Sequence, residues 1–317
     1  MRVAAIDCGT NCLRLLVADV DPRTRQTHEV TRRTEVVRLG EGVDARGLLD
    51  PAAVERALAM TAEYAAVCRP LGVGRMRFVA TSATRDAANA AQFTDGVADL
   101  LADWRCVPEV ISGREEAYLS FAGATAGVRA GGMAPPYLVI DVGGGSTELV
   151  LGVSDVDAAI SLDVGSVRLT ERCLRTDPPT PAEVAALIAE VDAALNRAQR
   201  QVDLAQARTL VGTGGTVTTI AAHALGLATY QRDRVHLSRV GVPDTLAACA
   251  DLTRLPRWRR SALGFMHPGR VDVIVAGALL WRRLVEVVAA RSGVRRVVTS
   301  EHDILDGIAG SLGRPTW

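Results

Sequence analysis

The chain has 317 residues, 48% of them hydrophobic and 23% charged, with 36 Lys+Arg against 36 Asp+Glu. That length is enough for two packed domains. The balanced charge excludes the broad basic footprint of a duplex nucleic-acid binder. The longest late apolar run, 273–281, is too short to span a bilayer and ends at Arg282 and Arg283, so a buried helix and no membrane partner are expected.

The first apolar run, from Val3, ends at Asp7, which also breaks any signal-peptide layout. Gly9, Thr10 and Asn11 follow as a turn, and Leu15, Leu16 and Val17 resume a second strand. A third strand is expected over 28–39. Asp50 before Pro51 predicts an N-cap with Pro at the first helical position. That helix should run to about Arg69, with Val54, Leu58, Thr61, Ala65 and Cys68 on one face. A strand over 75–80 leads into Thr81 and Ser82, whose hydroxyls can cap a helix over 85–104. Arg85 can meet an anion there or pair with a nearby carboxylate.

Another strand is expected over 107–111. Ser112 and Glu115 have capping-box spacing, which occupies Glu115 and leaves Glu116 unengaged. Glu116 is then the candidate general base for a water, with Glu115 the alternative acid. The bland reading is a solvated acid favoured by the helix dipole. The Gly-, Ala- and Pro-rich stretch 126–136 reads as the connection to a second domain.

Leu138, Val139 and Ile140 form a buried strand ending at Asp141. Gly143, Gly144 and Gly145 let the chain turn close to a ligand, and Ser146 and Thr147 add hydroxyls. Glu148 precedes a second strand. Asp141 aligns with Asp7 and Gly143 with Gly9, so the first hairpin recurs and two similar domains are expected. Consecutive amides in such a turn make an anion nest. Asp141 and Glu148 would repel phosphate unless a cation lies between them, and hard oxygen ligands suit magnesium.

A third strand is expected over 158–164, then a helix from Gly165 to about Arg175. The amphipathic helix after Pro181 turns Val184, Leu187, Ile188, Val191 and Leu195 inward. A strand over 208–211 runs into Gly212, Thr213, Gly214, Gly215 and Thr216, a second phosphate-facing turn. It matches neither the Walker A pattern nor G-x-G-x-x-G. Arg232, Arg234, His236 and Arg239 mark either the rim of an anion site or a solvated loop. A helix over 271–283, a strand over 294–300 and a helix over 303–312 complete the chain. Trp104, Trp258, Trp281 and Trp317 are scattered, so no base-stacking platform is visible. Cys8, Cys12, Cys68, Cys106, Cys173 and Cys249 form no C-x-x-C pair or zinc-like set, so free thiols in a reducing cytoplasm are expected.

In chain order, Asp7–Asn11 with Arg14, the 80–86 segment, Ser112–Glu116, Asp141–Glu148, Gly212–Thr216 and Arg270 with Asp272 resemble the exopolyphosphatase/guanosine-pentaphosphate phosphatase family. The resemblance implies an α/β fold of two ribonuclease-H-like domains around an interdomain cleft, as in actin, Hsp70 and sugar kinases. It implies domains at 1–125 with a returning helix in 301–317, and at 126–300. It gives water activation to Glu116, a magnesium site to Asp141 and Glu148 with Asp7, and phosphate contacts to the glycine turns, Arg14 and Arg270. The family's first motif usually carries Ser at the positions of Thr10 and Cys12; Cys12 puts a donor role in doubt. The chain resembles the short, two-domain type.

The expected function is therefore release of orthophosphate from inorganic polyphosphate, short chains in particular. Mg²⁺ or another divalent ion would assist, with a monovalent ion as an option. Alternatives are guanosine pentaphosphate hydrolysis, an ATP-dependent kinase of the same fold, and a non-catalytic polyphosphate or alarmone sensor. A homodimer is expected from the frequency of two-fold oligomers.

Overall fold

The computed structural model describes residues 1–21, 23 and 27–313; Trp317 and the end of the 301–317 segment lie outside the described residues. The chain divides into two compact units, Met1–Gly123 with the segment from Ile304, and Ala124–Asp303.

The first unit opens with the antiparallel strands β1 (Arg2–Cys8), β2 (Cys12–Val20) and β3 (Thr27–Val36). Helices α1 (Val43–Arg46) and α2 (Pro51–Cys68) lead to β4 (Arg75–Ala80), which pairs parallel with β1. Helices α3 (Ser82–Asp86) and α4 (Ala90–Leu100) precede the short parallel strand β5 (Glu109–Val110) and α5 (Gly113–Ala130). The sheet order is β3-β2-β1-β4-β5. β1 is buried on both faces, which explains its unbroken apolar run. Ala4, Ile6 and Cys8 pack with residues of α2 and α4, while Val3 and Ala5 belong to a cluster on the opposite face. Asp50 caps α2 by accepting from the Ala52 amide.

The second unit repeats this core. β6 (Tyr137–Val142), β7 (Thr147–Gly152) and β8 (Val156–Leu162) form an antiparallel meander. Helices α6 (Ser166–Cys173) and α7 (Pro181–Ala198) lead to β9 (Thr209–Thr213), parallel to β6, and to α8 (Gly214–Ala224). Then come α9 (Arg232–Val235), β10 (Ser238–Gly241), α10 (Val242–Arg254), α11 (Arg257–Ser261), α12 (Ile274–Ser292) and β11 (Arg296–Thr299). The sheet order is β10-β11-β9-β6-β7-β8. Its core gathers around α12, whose Trp281 is fully buried. The last helix, α13 (Ile304–Leu312), belongs to the first unit, where Ile304, Leu305, Ile308 and Leu312 pack with Val3, Ala5, Leu16 and Val79.

Four local expectations are corrected. The helix expected over 85–104 is broken, because Asn89 exchanges two hydrogen bonds with the Leu49 backbone and the Ala88 amide goes to the Gly47 carbonyl. The connection expected over 126–136 is partly helical, since α5 continues to Ala130; its glycines lower helix propensity without breaking the turn. The 230–239 stretch is structured as α9 and the start of β10. On α2 the buried face is Ala53, Ala57, Thr61, Tyr64, Ala65 and Cys68, with Val54 and Leu58 only partly covered.

Candidate phosphate and cation site

Both units place polar residues at the end of the first hairpin, and register shows how. In the second unit Asp141 pairs with Glu148 on one side and Thr213 on the other, and Glu148 pairs with Ser161. Lateral partners in a sheet share a face, so these four polar side chains form one row across β9, β6, β7 and β8. Glu148 Oε1 accepts from the Ser161 hydroxyl at 2.7 Å. Thr213 is buried at the N-cap of α8, and its hydroxyl has no hydrogen-bond partner among the described residues. Asp141 and Glu148 are themselves buried.

The glycine turn after Asp141 is drawn tight. The Gly143 amide donates to the Ser146 carbonyl at 3.0 Å. The carbonyls of Gly143 and Gly144 accept from the first amides of α6, at Ser166, Val167 and Arg168. Among the described residues, none accepts a backbone–backbone bond from the amides of Gly144, Gly145 and Ser146. Successive amides without a backbone acceptor in a tight turn are the donors that suit an anion. Thr147 spends its hydroxyl on the Val164 carbonyl and fixes the start of β7. Gly165 is needed sterically, since a Cβ there would lie 2.4 Å from the Gly144 carbonyl oxygen.

The second glycine turn meets the first. Gly214 has φ +88°, and a Cβ on it would lie 2.7 Å from the Val142 oxygen and 3.0 Å from Asp141 Oδ1. A Cβ on Gly215 would strike the Arg270 guanidinium at 2.4 Å. Arg270 Nη1 donates to Thr219 Oγ1 at 3.2 Å, one turn into α8. Thr216 is buried against Gly277 of α12. Asp141, Glu148, the turn 143–147, Gly214, Gly215, Thr216 and Arg270 are therefore one contiguous cluster.

In the first unit the equivalent row is different. Asp7 pairs with Arg14 and Val79, and Arg14 Nε donates to Asp7 Oδ2 at 2.9 Å. Arg14 thus stands where the second unit has Glu148, so each row holds an acid with a different neighbour. The contact engages both the acid assigned to metal and the arginine assigned to phosphate. The Gly9 amide donates to the Cys12 carbonyl, and the Thr10 and Asn11 carbonyls receive the amides of Gly40, Val37 and Arg38. Asn11 Nδ2 donates to Cys12 Sγ, which makes Cys12 an acceptor. Burial, with Asp7 and Cys12 adding to it, pushes the Cys8 thiol well up and keeps it protonated.

Glu116 lies in the first turn of α5 and is 8% exposed. Its Oε2 accepts from Arg85 Nη1 at 3.2 Å, and the same nitrogen donates to the Ile111 carbonyl at 2.9 Å. Arg85 therefore takes the carboxylate role foreseen for it, and Glu116 is held rather than unengaged. The Ser112 hydroxyl accepts the Glu115 amide at 3.2 Å, but the Glu115 carboxylate sits on Arg77 at 2.7 Å, on the surface. Among the described residues no cysteine is paired in a disulfide.

Among the described residues no three His, Cys, Asp or Glu side chains cluster as a metal site. Asp141 and Glu148 supply two hard carboxylates beside an anion nest. This fits an ion such as Mg²⁺, which keeps several waters and takes one or two carboxylates plus phosphate oxygens. Sequence reading put Thr213 in the second glycine turn but not beside Asp141, and it missed Ser161 and the steric role of Gly165; only strand register brings Thr213 and Ser161 beside the acids.

The two meander-led mixed sheets, each with the order 3-2-1-4-5 at its core, define the ribonuclease-H-like duplication of the actin and sugar-kinase fold. The chain belongs to the Ppx/GppA phosphatase family, whose model matches residues 16–312, and it is by that membership a phosphatase. It is 47% identical to Exopolyphosphatase 2 of Mycobacterium tuberculosis, over 98% of both chains. It is also similar to the solved structure of an exopolyphosphatase-like protein, with TM-score 0.93, 42% identity and 99% coverage of each chain. The Aquifex aeolicus Ppx/GppA family member aligns with TM-score 0.77 at 28% identity, over 98% of this chain and 97% of that one. Among the described residues no helix is long and apolar enough to cross a membrane.

Proposed function

We propose that this chain hydrolyses the terminal phosphoanhydride bond of inorganic polyphosphate and releases orthophosphate. The observation that carries the reading is the run of amides from Gly144 to Ser146, free of backbone partners and set beside two buried carboxylates. A polyanion suits such donors only where the carboxylates are neutralised, and a divalent cation bound by Asp141 and Glu148 would supply that charge. The 47% identity to an exopolyphosphatase supports the same substrate class.

In this reading the turn 143–147, the Gly214–Thr216 turn and Arg270 hold and orient phosphate oxygens. Glu116 takes a proton from the attacking water, and Arg85 orients its carboxylate. The water oxygen bonds to the terminal phosphorus as the bridging P–O bond breaks. The bridging oxygen leaves on the shortened chain. Catalysis of this kind rests on positioning and electrostatics rather than covalent chemistry by the protein.

The test is orthophosphate release from short polyphosphate, long polyphosphate and guanosine pentaphosphate, with and without Mg²⁺. Faster release from polyphosphate, dependent on the cation, is expected. Release from guanosine pentaphosphate alone would move the substrate to the nucleotide. No release from any of the three would overturn the hydrolase reading.

A further inference from the structure

A second polar cluster adjoins the Gly214–Gly215 turn and has no part in the roles assigned above. β9 and β11 are parallel neighbours, and the Ser300 amide just past β11 donates to the Gly212 carbonyl at 2.9 Å. Ligands of open α/β sheets gather at this carboxyl edge. Glu301 stands two residues beyond β11, with its side chain only 12% exposed. The Tyr230 hydroxyl donates to Glu301 Oε1, and Arg232 Nε lies 3.5 Å from Oε2. The Glu301 amide donates to His236 Nδ1 at 3.1 Å, and His236 stacks on His302 at 4.4 Å. Tyr230 leaves 37% of its surface in solvent, and the Thr218 side chain of α8 acts on its hydroxyl and favours the charged form.

These contacts lead to the phosphate turn. Thr218 and Thr219 both donate to the Gly215 carbonyl, and Thr219 receives Arg270. Arg270 is within electrostatic reach of Glu301 and of Tyr230. Burial raises the Glu301 carboxyl, and buried Asp303 adds to this; Tyr230, Arg232 and Arg270 oppose it by favouring the charged form. Burial, followed by the Glu301 charge and its hydrogen bond, pushes the Tyr230 phenol up, so it remains a donor.

An enclosed carboxylate beside an anion site has a clear electrostatic effect. It offsets the attraction of the two guanidinium groups for a polyanion, and the low dielectric strengthens that offset. We propose that Glu301, held by Tyr230, is a positioning residue that tempers Arg270 and Arg232 and so weakens phosphate binding at the Gly214–Gly215 turn enough for product to leave. This rests on the assignment of that turn and Arg270 to phosphate.

Glu301→Gln keeps an acceptor for Tyr230 and removes the charge. Calorimetric titration of the full chain with inorganic tripolyphosphate, with Mg²⁺ present, should show binding tightened about three- to tenfold, and less so at high salt. KM for polyphosphate should fall alongside while kcat does not rise. Glu301→Met, which also lacks the charge, is read in the same way if the Gln variant does not fold. Unchanged or weaker tripolyphosphate binding by a folded neutral variant overturns the proposal, because a purely structural acid gives that result. A wild type that binds tripolyphosphate yet releases no orthophosphate sinks the hydrolase reading alone. A wild type that does not bind tripolyphosphate removes the turn assignment and this inference with it.

Discussion

Asp141 and Glu148 stand directly opposite one another across the β6–β7 ladder, both buried and both on the face that carries Thr213 and Ser161. Like charges placed directly opposite in an antiparallel pair destabilise it. A bound divalent ion would reverse that sign. Mg²⁺ should therefore raise the parent's Tm, and Asp141→Asn and Glu148→Gln should lose that rise, while their cation-free Tm is no lower than the parent's. Phosphate release should fall by at least about a hundredfold, the scale of a lost charge-stabilising contact. An equal Mg²⁺-induced rise in Tm in parent and variants would move the cation elsewhere.

Glu116 receives Arg85 at 3.2 Å, and the arginine is anchored in turn on the Ile111 carbonyl. An acid held this way is oriented, which is what a base for water requires. Glu116→Gln should lower kcat by about 10²–10⁴. Binding of polyphosphate, followed by calorimetry, should stay within about threefold of the parent, because the amide removes one proton acceptor and adds no bulk. Turnover near the parent's would take Glu116 out of the mechanism. Glu115→Gln, on a surface acid bound to Arg77, should leave kcat unchanged.

What could be read from the sequence follows from what is local. The Asp50–Pro51 cap, the strand at 75–80 and the twin Asp-x-Gly hairpins are fixed by neighbours a few residues away, and they form as expected. The capping-box reading of Ser112 and Glu115 holds only in half: the Ser112 hydroxyl meets the Glu115 amide, while the Glu115 carboxylate goes to Arg77 and Glu116 is engaged by Arg85. The break after α3 was not legible, because it depends on Asn89 reaching Leu49, 40 residues away. Helices α10 and α11 were not legible, because the buried face of α10 includes Thr245 and Ala248 and gives a weak apolar period, and α11 is only 5 residues long. The Tyr230–Glu301 pair is joined only by the fold, across a separation of 71 residues.

Gly165 offers a test of the turn that leaves every candidate site residue in place. A Cβ at this position would lie 2.4 Å from the Gly144 oxygen and 2.7 Å from the Gly145 nitrogen, both backbone atoms that cannot rotate away. Gly165→Ala must therefore displace the Gly143–Gly145 bend or the start of α6. Overpacking of this kind costs about 1–3 kcal/mol. Thermal unfolding should register that loss, and tripolyphosphate affinity should drop by more than tenfold in the folded variant. Parent-like affinity would mean that the bend does not bind phosphate.

The 175–183 loop predicts how the chain responds to acid. Glu183 accepts from the Thr176 hydroxyl, the amides of Thr180 and Arg175, and the Thr180 hydroxyl, and these bonds hold its carboxyl down to about 2 from an ordinary 4.5. Thr180 and Glu183 also form the capping box of α7. Because the folded value is depressed, the contribution is fully present above about 4.5 and is lost as pH falls from there through about 2. Glu183→Gln should therefore lower Tm most at pH 6–7, and the gap between parent and variant should close on acidification to pH 2. The donors are uncharged, so salt should change the gap little. A gap that widens on acidification, or one that is already absent at neutral pH, would show that the carboxylate does not hold this loop.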